Sequence, residues 1–307
     1  MLQTKTVVLC FALCVPAFPD LAAGQQAYNR GDYATAINEL LPLAKQGDAR
    51  AQFNLGLMYA QGKGVPQDYA GAVRWYRKAA EQGIVDAQVN IGRMYYLGQG
   101  MPKNPVEGAR WYRKAAEQGN AFAQYLLGGL YLYDSGEAVP KNSIEAARWY
   151  RKAAEQGNAD AQASLGRLYD SGEGVPQASA EAARWYRKAA EQGNDLAQAC
   201  LGFMYSQGKG VPQDYGEAVR WYRKAAEHGN AIAQANLGLQ YCNGQGVPQD
   251  YVHAHMWLNL AASRASGDDP KDCADQRNLL AGKMIRQQIA EVQRLAREWK
   301  PTEQPAP

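Results

Sequence analysis

A serine and a lysine three residues apart could supply a nucleophile and its base. Ser206 and Lys209 fit the S-x-x-K pattern of β-lactamases and penicillin-binding proteins, in which the serine is the nucleophile. The same register recurs at residues 60–63 as AQGK, where alanine replaces the serine. This recurrence favours a loop variant, and a cell-wall or β-lactam-related hydrolase or binder using Ser206 and Lys209 is kept as the alternative function.

Histidines and cysteines do not predict a metal site or a disulfide scaffold. His253 and His255 are two residues apart, which places them on different faces of a helix, so they cannot hold one metal ion without a further ligand. Cys200 and Cys242 lie in neighbouring copies of a sequence repeat, about 9 Å out of register along the helix axis and about 9 Å apart laterally. This separation exceeds the disulfide limit of about 7 Å between Cα atoms. We therefore expect free thiols, no metal and no cofactor.

The composition is that of a folded protein with nearly balanced charge. The 307 residues include 33 Lys and Arg against 30 Asp and Glu, with 46% hydrophobic and 21% charged residues. A net charge of +3 gives no electrostatic basis for nucleic-acid binding. The hydrophobic content is typical of a globular chain rather than a disordered one. Nucleic acid is therefore excluded as an expected partner.

The N-terminal segment has the pattern of a secretory signal. Lys5 precedes an apolar run over residues 7–15, which Pro16 and Pro19 end. The run is far shorter than the about 20 apolar residues needed to span a bilayer, and small residues follow it at positions 22–24. We expect residues 1–23 to be a cleaved signal, the mature protein to be periplasmic or secreted, and no segment to cross a membrane.

The rest of the chain is repetitive. A second-helix signature, Trp-Tyr, recurs at intervals of 36 or 38 residues and is degenerate in the sixth copy: Trp75, Trp111, Trp149, Trp185, Trp221 and Trp257. A first-helix signature, Leu/Ile-Gly-x-x-Tyr, ends at Tyr59, Tyr95, Tyr131, Tyr169, Tyr205 and Tyr241. Repeats of this length are typical of helical solenoids. We expect two helices per copy, with the Trp-Tyr pairs in the core.

Each copy also carries signals for its helix ends and its packing. In copy one, Asp48 is a cap residue, and Ala51, Leu55 and Tyr59 form one apolar stripe of the first helix. Gly56 costs about 1 kcal/mol inside that helix relative to Ala, so we expect close approach of the second helix to compensate. Capping boxes are predicted at the starts of three second helices: Asn104 with Glu107, Asn142 with Glu145, and Asp214 with Glu217.

A basic set on the second helix recurs in most copies. In copy one it consists of Arg74, Arg77 and Lys78, accompanied by Glu81. We interpret it as a solvated outer face with i,i+3 and i,i+4 ion pairs. Weak contact of this face with an anionic surface is the alternative use of the same charges.

The full pattern of one copy, A-Q-x-x-L-G-x-x-Y-x-x-G-x-G-V-P-x-D-x-x-x-A-x-x-W-Y-x-K-A-A-x-x-G in residues 51–83, resembles the Sel-1-like repeat family. The resemblance covers residues 48–265 in six copies. It implies an all-α fold, a right-handed α/α solenoid of helix-pair repeats of about 36 residues related to tetratricopeptide repeats, and a role in protein–protein assembly. We predict a tetratricopeptide-like hairpin at residues 24–47, a C-terminal helical cap at 266–300 and a tail at 301–307.

The copies differ at positions of the first helix that packing does not fix. By similarity to the tetratricopeptide signature, residues 50, 53, 57, 60 and 61 of copy one and their equivalents face a concave groove. The groove candidates are Phe53, Leu57, Arg93, Tyr96, Phe122, Tyr125, Tyr133, Arg167 and Phe203. Exposed aromatic residues beside arginine are typical of interface hot spots. We therefore expect a non-enzymatic scaffold that binds a peptide or protein segment there; drift on an unused face is the alternative.

If residues 1–23 are a signal, the mature chain begins near Gly24 and fractionates with the periplasm, because signal peptidase removes the apolar run. N-terminal sequencing of the protein recovered from each cell fraction measures this, with a cytosolic enzyme as the fractionation control. Recovery of intact Met1 from the soluble cytosolic fraction would contradict the prediction.

Overall fold

The computed structural model describes residues 19–133, 138–264, 275, 277–279, 281–282, 284 and 286–301. These residues form helices and loops, and no strand occurs among them. The chain consists of two compact units, Met1–Trp111 (unit 1) and Tyr112–Pro307 (unit 2). The predicted apolar signal run at residues 7–15, and residues 266–274 of the predicted cap, lie outside the described residues.

Six tandem helix pairs follow an N-terminal hairpin made of α1 (Leu21–Asn29) and α2 (Tyr33–Lys45). The first helices of the repeats are α3 (Ala49–Gln61), α5 (Val85–Leu97), α7 (Ala121–Tyr133), α9 (Ala159–Ser171), α11 (Asp195–Gln207) and α13 (Ala231–Asn243). The second helices are α4 (Tyr69–Glu81), α6 (Pro105–Glu117), α8 (Ser143–Glu155), α10 (Ser179–Glu191), α12 (Tyr215–Glu227) and α14 (Tyr251–Arg264). Helix α15 (Arg286–Glu298) follows them.

Neighbouring helices pack in chain order. In unit 1 each of α1 to α4 packs on the next helix, in unit 2 each of α7 to α13 does the same, and α15 packs on α14. Packing of this kind, in which each repeat contacts only its neighbours, defines a solenoid. The prediction of an all-helical solenoid built from helix pairs is therefore confirmed.

A glycine allows each first helix to contact its second helix closely. In repeat five the ring of Tyr222 lies over Gly202, where a Cβ would be only 2.8 Å from the ring carbon Cδ1. Such a distance is inside van der Waals contact, so a methyl group at this position would displace the ring. The same contact occurs between Gly56 and Tyr76, Gly128 and Tyr150, and Gly166 and Tyr186. Packing thus compensates for glycine within the helix, as predicted.

The tyrosine of a Trp-Tyr pair belongs to the core, but the tryptophan does so only in some repeats. Tyr150 is 1% exposed. Trp149 is partly exposed, and the Lys152 ammonium lies 4.3 Å from its ring centroid. The expectation of a fully buried pair is wrong for Trp149, because consecutive residues of an α-helix point about 100° apart and Tyr150 occupies the direction of the first helix.

A buried glutamine near the start of the first helix ties consecutive second helices together in repeats one, three and four. Gln162 Nε2 donates to the Ala154 carbonyl at 3.0 Å, and Gln162 Oε1 accepts from Gln192 Nε2 at 2.7 Å. The same arrangement joins Gln124 to Ala116 and Gln156, and Gln52 to Ala44 and Gln82. In repeat five, His228 replaces the second glutamine. There, His228 Nδ1 and Gln198 Oε1 are both buried without a hydrogen-bond partner among the residues that the structure describes.

The predicted capping boxes form only in part. Asn142 Oδ1 accepts a hydrogen bond from the Glu145 amide at 3.1 Å, but the Glu145 carboxylate pairs with Arg148. The reciprocal bond of a capping box runs from the backbone N–H of Asn142 to the Glu145 carboxylate. This N–H instead donates to the Tyr131 carbonyl at 2.8 Å, across the loop between the two helices. The other two boxes behave alike: the Asn104 amide donates to Tyr95, and the Asp214 amide donates to Tyr205.

Helices also close the described chain at both ends. Helix α1 begins at Leu21, after the cap residue Asp20, so the predicted cleavage after residue 23 falls in its first turn. At the other end, the ring of Trp299 lies edge-on to Trp257 of α14, with centroids 6.2 Å apart. Val292 of α15 is buried in the same region of unit 2, where this helix packs on α14.

Tyr150→Ala is expected to lower the free energy of unfolding by about 3–5 kcal/mol, because it removes a fully buried ring and leaves a cavity over Gly128. Urea unfolding followed by far-ultraviolet circular dichroism measures the loss. Trp149→Ala is the matched control and should cost less, since that ring is partly exposed. Identical unfolding curves for wild type and Tyr150→Ala would show that the buried face is assigned wrongly.

His228→Gln is expected to raise the free energy of unfolding by about 1 kcal/mol, because a glutamine there can donate to the unpartnered Gln198 oxygen. The reciprocal change, Gln192→His, removes the corresponding bond in repeat four and should destabilise by a similar amount. Denaturant midpoints of the two variants test the pair. A His228→Gln protein no more stable than wild type would contradict the role given to the glutamine.

Candidate functional site

In unit 1, two of the four predicted groove residues line a groove between the first helices of repeats one and two. Leu57 of α3 and Arg93 of α5 contribute to its walls, and the groove has a volume of about 320 Å³. Leu97, the repeat-two equivalent of the predicted position 61, also lines it, and Tyr69, Tyr76 and Asn90, which the sequence did not assign to the groove, complete it. The structure therefore brings Leu57 and Arg93 together in one recess.

The other two predicted residues of unit 1 are not among the described residues that line this groove. The ring of Phe53 packs against Tyr76, a residue of the groove wall, with centroids 5.9 Å apart. Tyr96 is half-buried, and its Cβ lies 3.2 Å from the position that a Cβ on Gly108 would occupy. Tyr96 therefore faces α6 and is not among the described residues that line this groove. Leu132, at the equivalent position in repeat three, is 3% exposed for the same reason.

In unit 2, an aromatic patch is formed by Phe122, Tyr125, Tyr133 and Arg167. Phe122 is 50% exposed and Tyr133 is 66% exposed. The Arg167 guanidinium lies 5.3 Å from the centroid of the Tyr133 ring and forms an ion pair with Glu173 at 3.6 Å. A guanidinium over an aromatic face is an attractive cation–π contact. The four predicted residues of repeats three and four thus form two contacting pairs, Phe122 with Tyr125 and Tyr133 with Arg167.

The members of the aromatic patch are not equally accessible. Tyr125 lies between Phe122 and the buried Tyr150, with ring centroids 6.4 Å and 5.8 Å away, and is half-buried. Its ring therefore supports the fold as well as the surface. Phe203 lies one repeat beyond Arg167, at the equivalent position of α11, and is 47% exposed.

Burial keeps the ionisable groups beneath these surfaces neutral. Desolvation raises the pKa of Tyr150 and Tyr186 above the usual range and raises the pKa of Tyr222 to about 12. Burial also raises the pKa of the Cys200 thiol, and its hydrogen bond with Tyr186 acts in the opposite direction. At neutral pH these phenols and this thiol carry their protons, so none of them is prepared to act as a base or nucleophile.

The serine and lysine of the S-x-x-K motif are occupied separately. Ser206 is 3% exposed, and its hydroxyl donates to the Phe203 carbonyl at 2.8 Å. Lys209 Nζ lies 2.7 Å from Asp170 Oδ1. A nucleophile needs an adjacent base and access to substrate, and this arrangement provides neither for Ser206. The hydrolase alternative receives no support from the geometry.

The histidines and cysteines also remain separate. His253 Nδ1 contacts Asp250 Oδ2 at 2.7 Å, and its ring stacks on Tyr241. Cys200 and Cys242 are free thiols, as predicted. Within the part of the chain that the structure describes, no three His, Cys, Asp or Glu side chains come together in a way that could hold a metal ion.

The outer face, formed by the basic residues of the second helices, carries the predicted i,i+3 ion pairs at the first of its two arginine positions: Arg110 with Glu107, Arg148 with Glu145, Arg184 with Glu181 and Arg220 with Glu217. The second arginine position is organised differently. Arg151 Nη2 donates to the hydroxyl of Tyr169 in the next first helix at 2.6 Å, rather than pairing with a glutamate one turn away. Arg77 with Tyr95, Arg113 with Tyr131, Arg187 with Tyr205 and Arg223 with Tyr241 repeat this bond. The constant spacing of 18 residues between arginine and tyrosine was the available signal in the sequence.

The arginines that donate to tyrosine hydroxyls are held without a carboxylate in that bond, and further basic residues lie beside them. In unit 1, a groove of about 820 Å³ is lined by Lys45, Arg74, Arg77 and Lys78 against the single acid Glu81. In unit 2, a groove of about 390 Å³ has Arg220, Arg223, Lys224 and Glu227 at the corresponding positions. This face is therefore basic as well as solvated.

Solved structures include clear relatives of this chain. The crystal structure of a Sel1 repeat protein from Oxalobacter formigenes is 37% identical, with a TM-score of 0.70 over 80% of this chain and 98% of that one. The protective antigen c5321 of uropathogenic Escherichia coli, described as displaying an SLR fold, is 32% identical over 89% of this chain and 74% of that one, with a TM-score of 0.42. The immunity protein Pa5087 of Pseudomonas aeruginosa is 22% identical over 70% and 81%, with a TM-score of 0.42.

A search of curated proteins finds no match. The sequence profile of the Sel1 repeat, by contrast, matches six consecutive segments: residues 49–84, 85–120, 121–158, 159–194, 195–230 and 231–266. These segments coincide with the six helix pairs and account for most of the chain. The chain is therefore a member of the Sel1 repeat family.

Proposed function

We propose that this protein is a non-enzymatic scaffold in the periplasm or outside the cell, where its first-helix surface binds a peptide or a segment of a protein. Sel1 repeat proteins are generally protein-interaction scaffolds, which is the basis for assigning protein partners. The export part of the proposal rests on the signal-like pattern of residues 1–23. No helix among the described residues has the length and apolarity needed to cross a bilayer.

The aromatic patch of unit 2 is the observation that carries the binding proposal. Phe122 and Tyr133 each expose half or more of their surface, and the Arg167 guanidinium lies over the Tyr133 ring. Removing apolar surface of this kind from water is the main driving force for association, and aromatic residues with arginine dominate the energetics of protein interfaces. The patch therefore has the composition of a binding hot spot.

Packing does not require these aromatic residues. The position of Phe122 is occupied by Asp160 in repeat four, and the position of Tyr133 is occupied by Ser171. Both polar residues are largely exposed, and the repeat around them has the same helices. Because the fold does not need Phe122 and Tyr133 and both are solvated, binding of a ligand explains their presence better than stability does. This comparison weakens the alternative of drift, which would favour polar replacements.

The surroundings of the buried serine and cysteine side chains do not favour an enzymatic role. Ser206 is hydrogen-bonded to a carbonyl in the core, and the pKa of the Cys200 thiol is raised by its burial. A solenoid also gives extended surfaces rather than a deep enclosed site. These features support binding in preference to chemistry.

Replacing both exposed rings, Phe122→Ala with Tyr133→Ala, is expected to weaken partner capture at least about tenfold, because truncated hot-spot residues commonly cost more than 1 kcal/mol each. The purified protein is immobilised, and native periplasmic extract provides the partner, which is quantified by mass spectrometry. Tyr125 is left intact, since its contact with Tyr150 would confuse a binding defect with a folding defect.

The matched control is the double change Arg184→Ala with Lys188→Ala, which removes two exposed side chains of a second helix. It should retain capture. Both double variants should keep the circular dichroism spectrum and melting temperature of the wild type. Undiminished capture by the folded Phe122→Ala, Tyr133→Ala protein would move the binding surface away from the patch, with the basic outer face as the next candidate.

A further inference from the structure

The groove between α3 and α5 in unit 1 contains one charged side chain. Arg93 is the only charged residue among its described lining residues, whereas Leu57, Leu97 and Tyr69 supply apolar or aromatic surface. The amides of Asn90 and Gln99 also reach the groove. The recess therefore combines a single positive charge with apolar walls and neutral hydrogen-bonding groups.

The charge of Arg93 is not neutralised within the described part of the molecule. Arg93 is exposed and forms no hydrogen bond or ion pair with a described residue. Arg167, at the equivalent position of repeat four, is by contrast paired with Glu173. The position of Glu173 is occupied by the neutral Gln99 in repeat two. Repeat two thus has the arginine of this position but lacks the glutamate that pairs with it in repeat four.

The cation also lies in the middle of the groove rather than at its end. Asn90 precedes Arg93 by three residues and Leu97 follows it by four, so they are one helical turn away on either side. Both line the same recess. A ligand that contacts Arg93 can therefore continue past it in both directions, which a chain can do through an internal residue but not through its terminal carboxylate.

We infer that this groove binds an extended, acidic segment of a partner protein, with an internal Asp or Glu side chain on Arg93 and an apolar neighbour against Leu57 or Leu97. A guanidinium and a carboxylate form paired charge-assisted hydrogen bonds, which are stronger than neutral ones. The groove amides can bond to the backbone of the segment. The inference rests on the proposed function and adds the chemistry of the partner.

The probe is a library of random twelve-residue peptides displayed at the N terminus of a phage coat protein, so that no peptide has a free C terminus. Selection is carried out on the full chain carrying Phe122→Ala and Tyr133→Ala, which removes the exposed rings of the patch in unit 2. Peptides with Asp or Glu next to an apolar residue should be enriched. Arg93→Gln in the same background should abolish that enrichment, and Arg93→Lys should retain part of it.

The matched control is Arg74→Gln, which removes the same charge from an exposed residue of the outer groove. It should select the same acidic peptides as its parent. An enriched peptide, synthesised with blocked ends, should lose at least about tenfold in affinity when its acid is changed to the amide. The affinity of the acidic peptide should fall by the same factor when Arg93 is changed to Gln. Combining the Arg93→Gln protein with the amide peptide should cause no further loss of affinity. Unchanged circular dichroism and melting of Arg93→Gln would show that folding is not the cause.

Three outcomes would overturn the inference. In the first, the enriched peptides show no preference for Asp or Glu, or the Arg93→Gln protein enriches acidic peptides as well as its parent does. Either result would leave the proposed scaffold function in place and remove the role of Arg93. Arg93-dependent binding of an unblocked peptide whose only carboxylate is its C terminus, equal to that of the acidic peptide, would reassign the groove to terminal carboxylates. Failure of the wild-type chain and of every variant to select any peptide would count against the proposed peptide-binding function as well.

Discussion

The second-helix tyrosine in each of four repeats rests on the bare backbone of a first-helix glycine, and the remaining features of the repeat depend on that contact. Because a Cβ at Gly202 would come within 2.8 Å of the Tyr222 ring, the two helices are closer than ordinary side chains permit. From this position the phenol can reach the first helix of the following repeat. Tyr186 hydrogen-bonds to Cys200 there, and Tyr76 lines the groove of unit 1. The core residue therefore also forms part of the candidate binding surface.

Most of the fold could be predicted because its determinants are local and repeated. The period of about 36 residues, the cap residues and the apolar stripe each act within one helix or between adjacent helices, so a single sequence displays them six times. The internal glycine was informative for the same reason: a residue that is unfavourable in a helix yet present in every copy indicates a compensating contact.

Sequence-based predictions differ from the structure in two situations. In one, two groups compete for the same hydrogen-bond partner; in the other, the direction of a side chain around the helix axis decides what it contacts. The capping box failed because the Asn142 amide is taken by the Tyr131 carbonyl, a contact between helices that local spacing does not show. Tyr96 was assigned to the groove although the rotation of α5 directs it toward α6. The pairing of Gln162 with Gln192 is not evident from the sequence, because a glutamine that recurs in every copy does not indicate which buried groups form hydrogen bonds with it.

The candidate surfaces use residues that the repeat leaves free, and they differ in charge. The aromatic patch of unit 2 balances Arg167 against Glu173, whereas Arg93 in unit 1 has no acidic partner among the described residues. On the second helices, one set of arginines, including Arg148, forms ion pairs with glutamates, and the other set, including Arg151, donates to tyrosine hydroxyls. One repeat architecture thus supports an aromatic surface, a groove with a single exposed arginine and a basic face, and a few substitutions decide which of them a repeat has.

The hydrogen bond from the Asn142 amide to the Tyr131 carbonyl has a consequence for how such a chain can evolve. The bond is present in repeat three, where the loop has two residues more than in the other copies, and it has the same partners as in the shorter loops. The start of the second helix is therefore fixed by the ends of the loop and not by its length. Insertions between these two residues leave the stacking of the helices unchanged, so this loop is a natural entry point for new recognition elements on an otherwise constant frame.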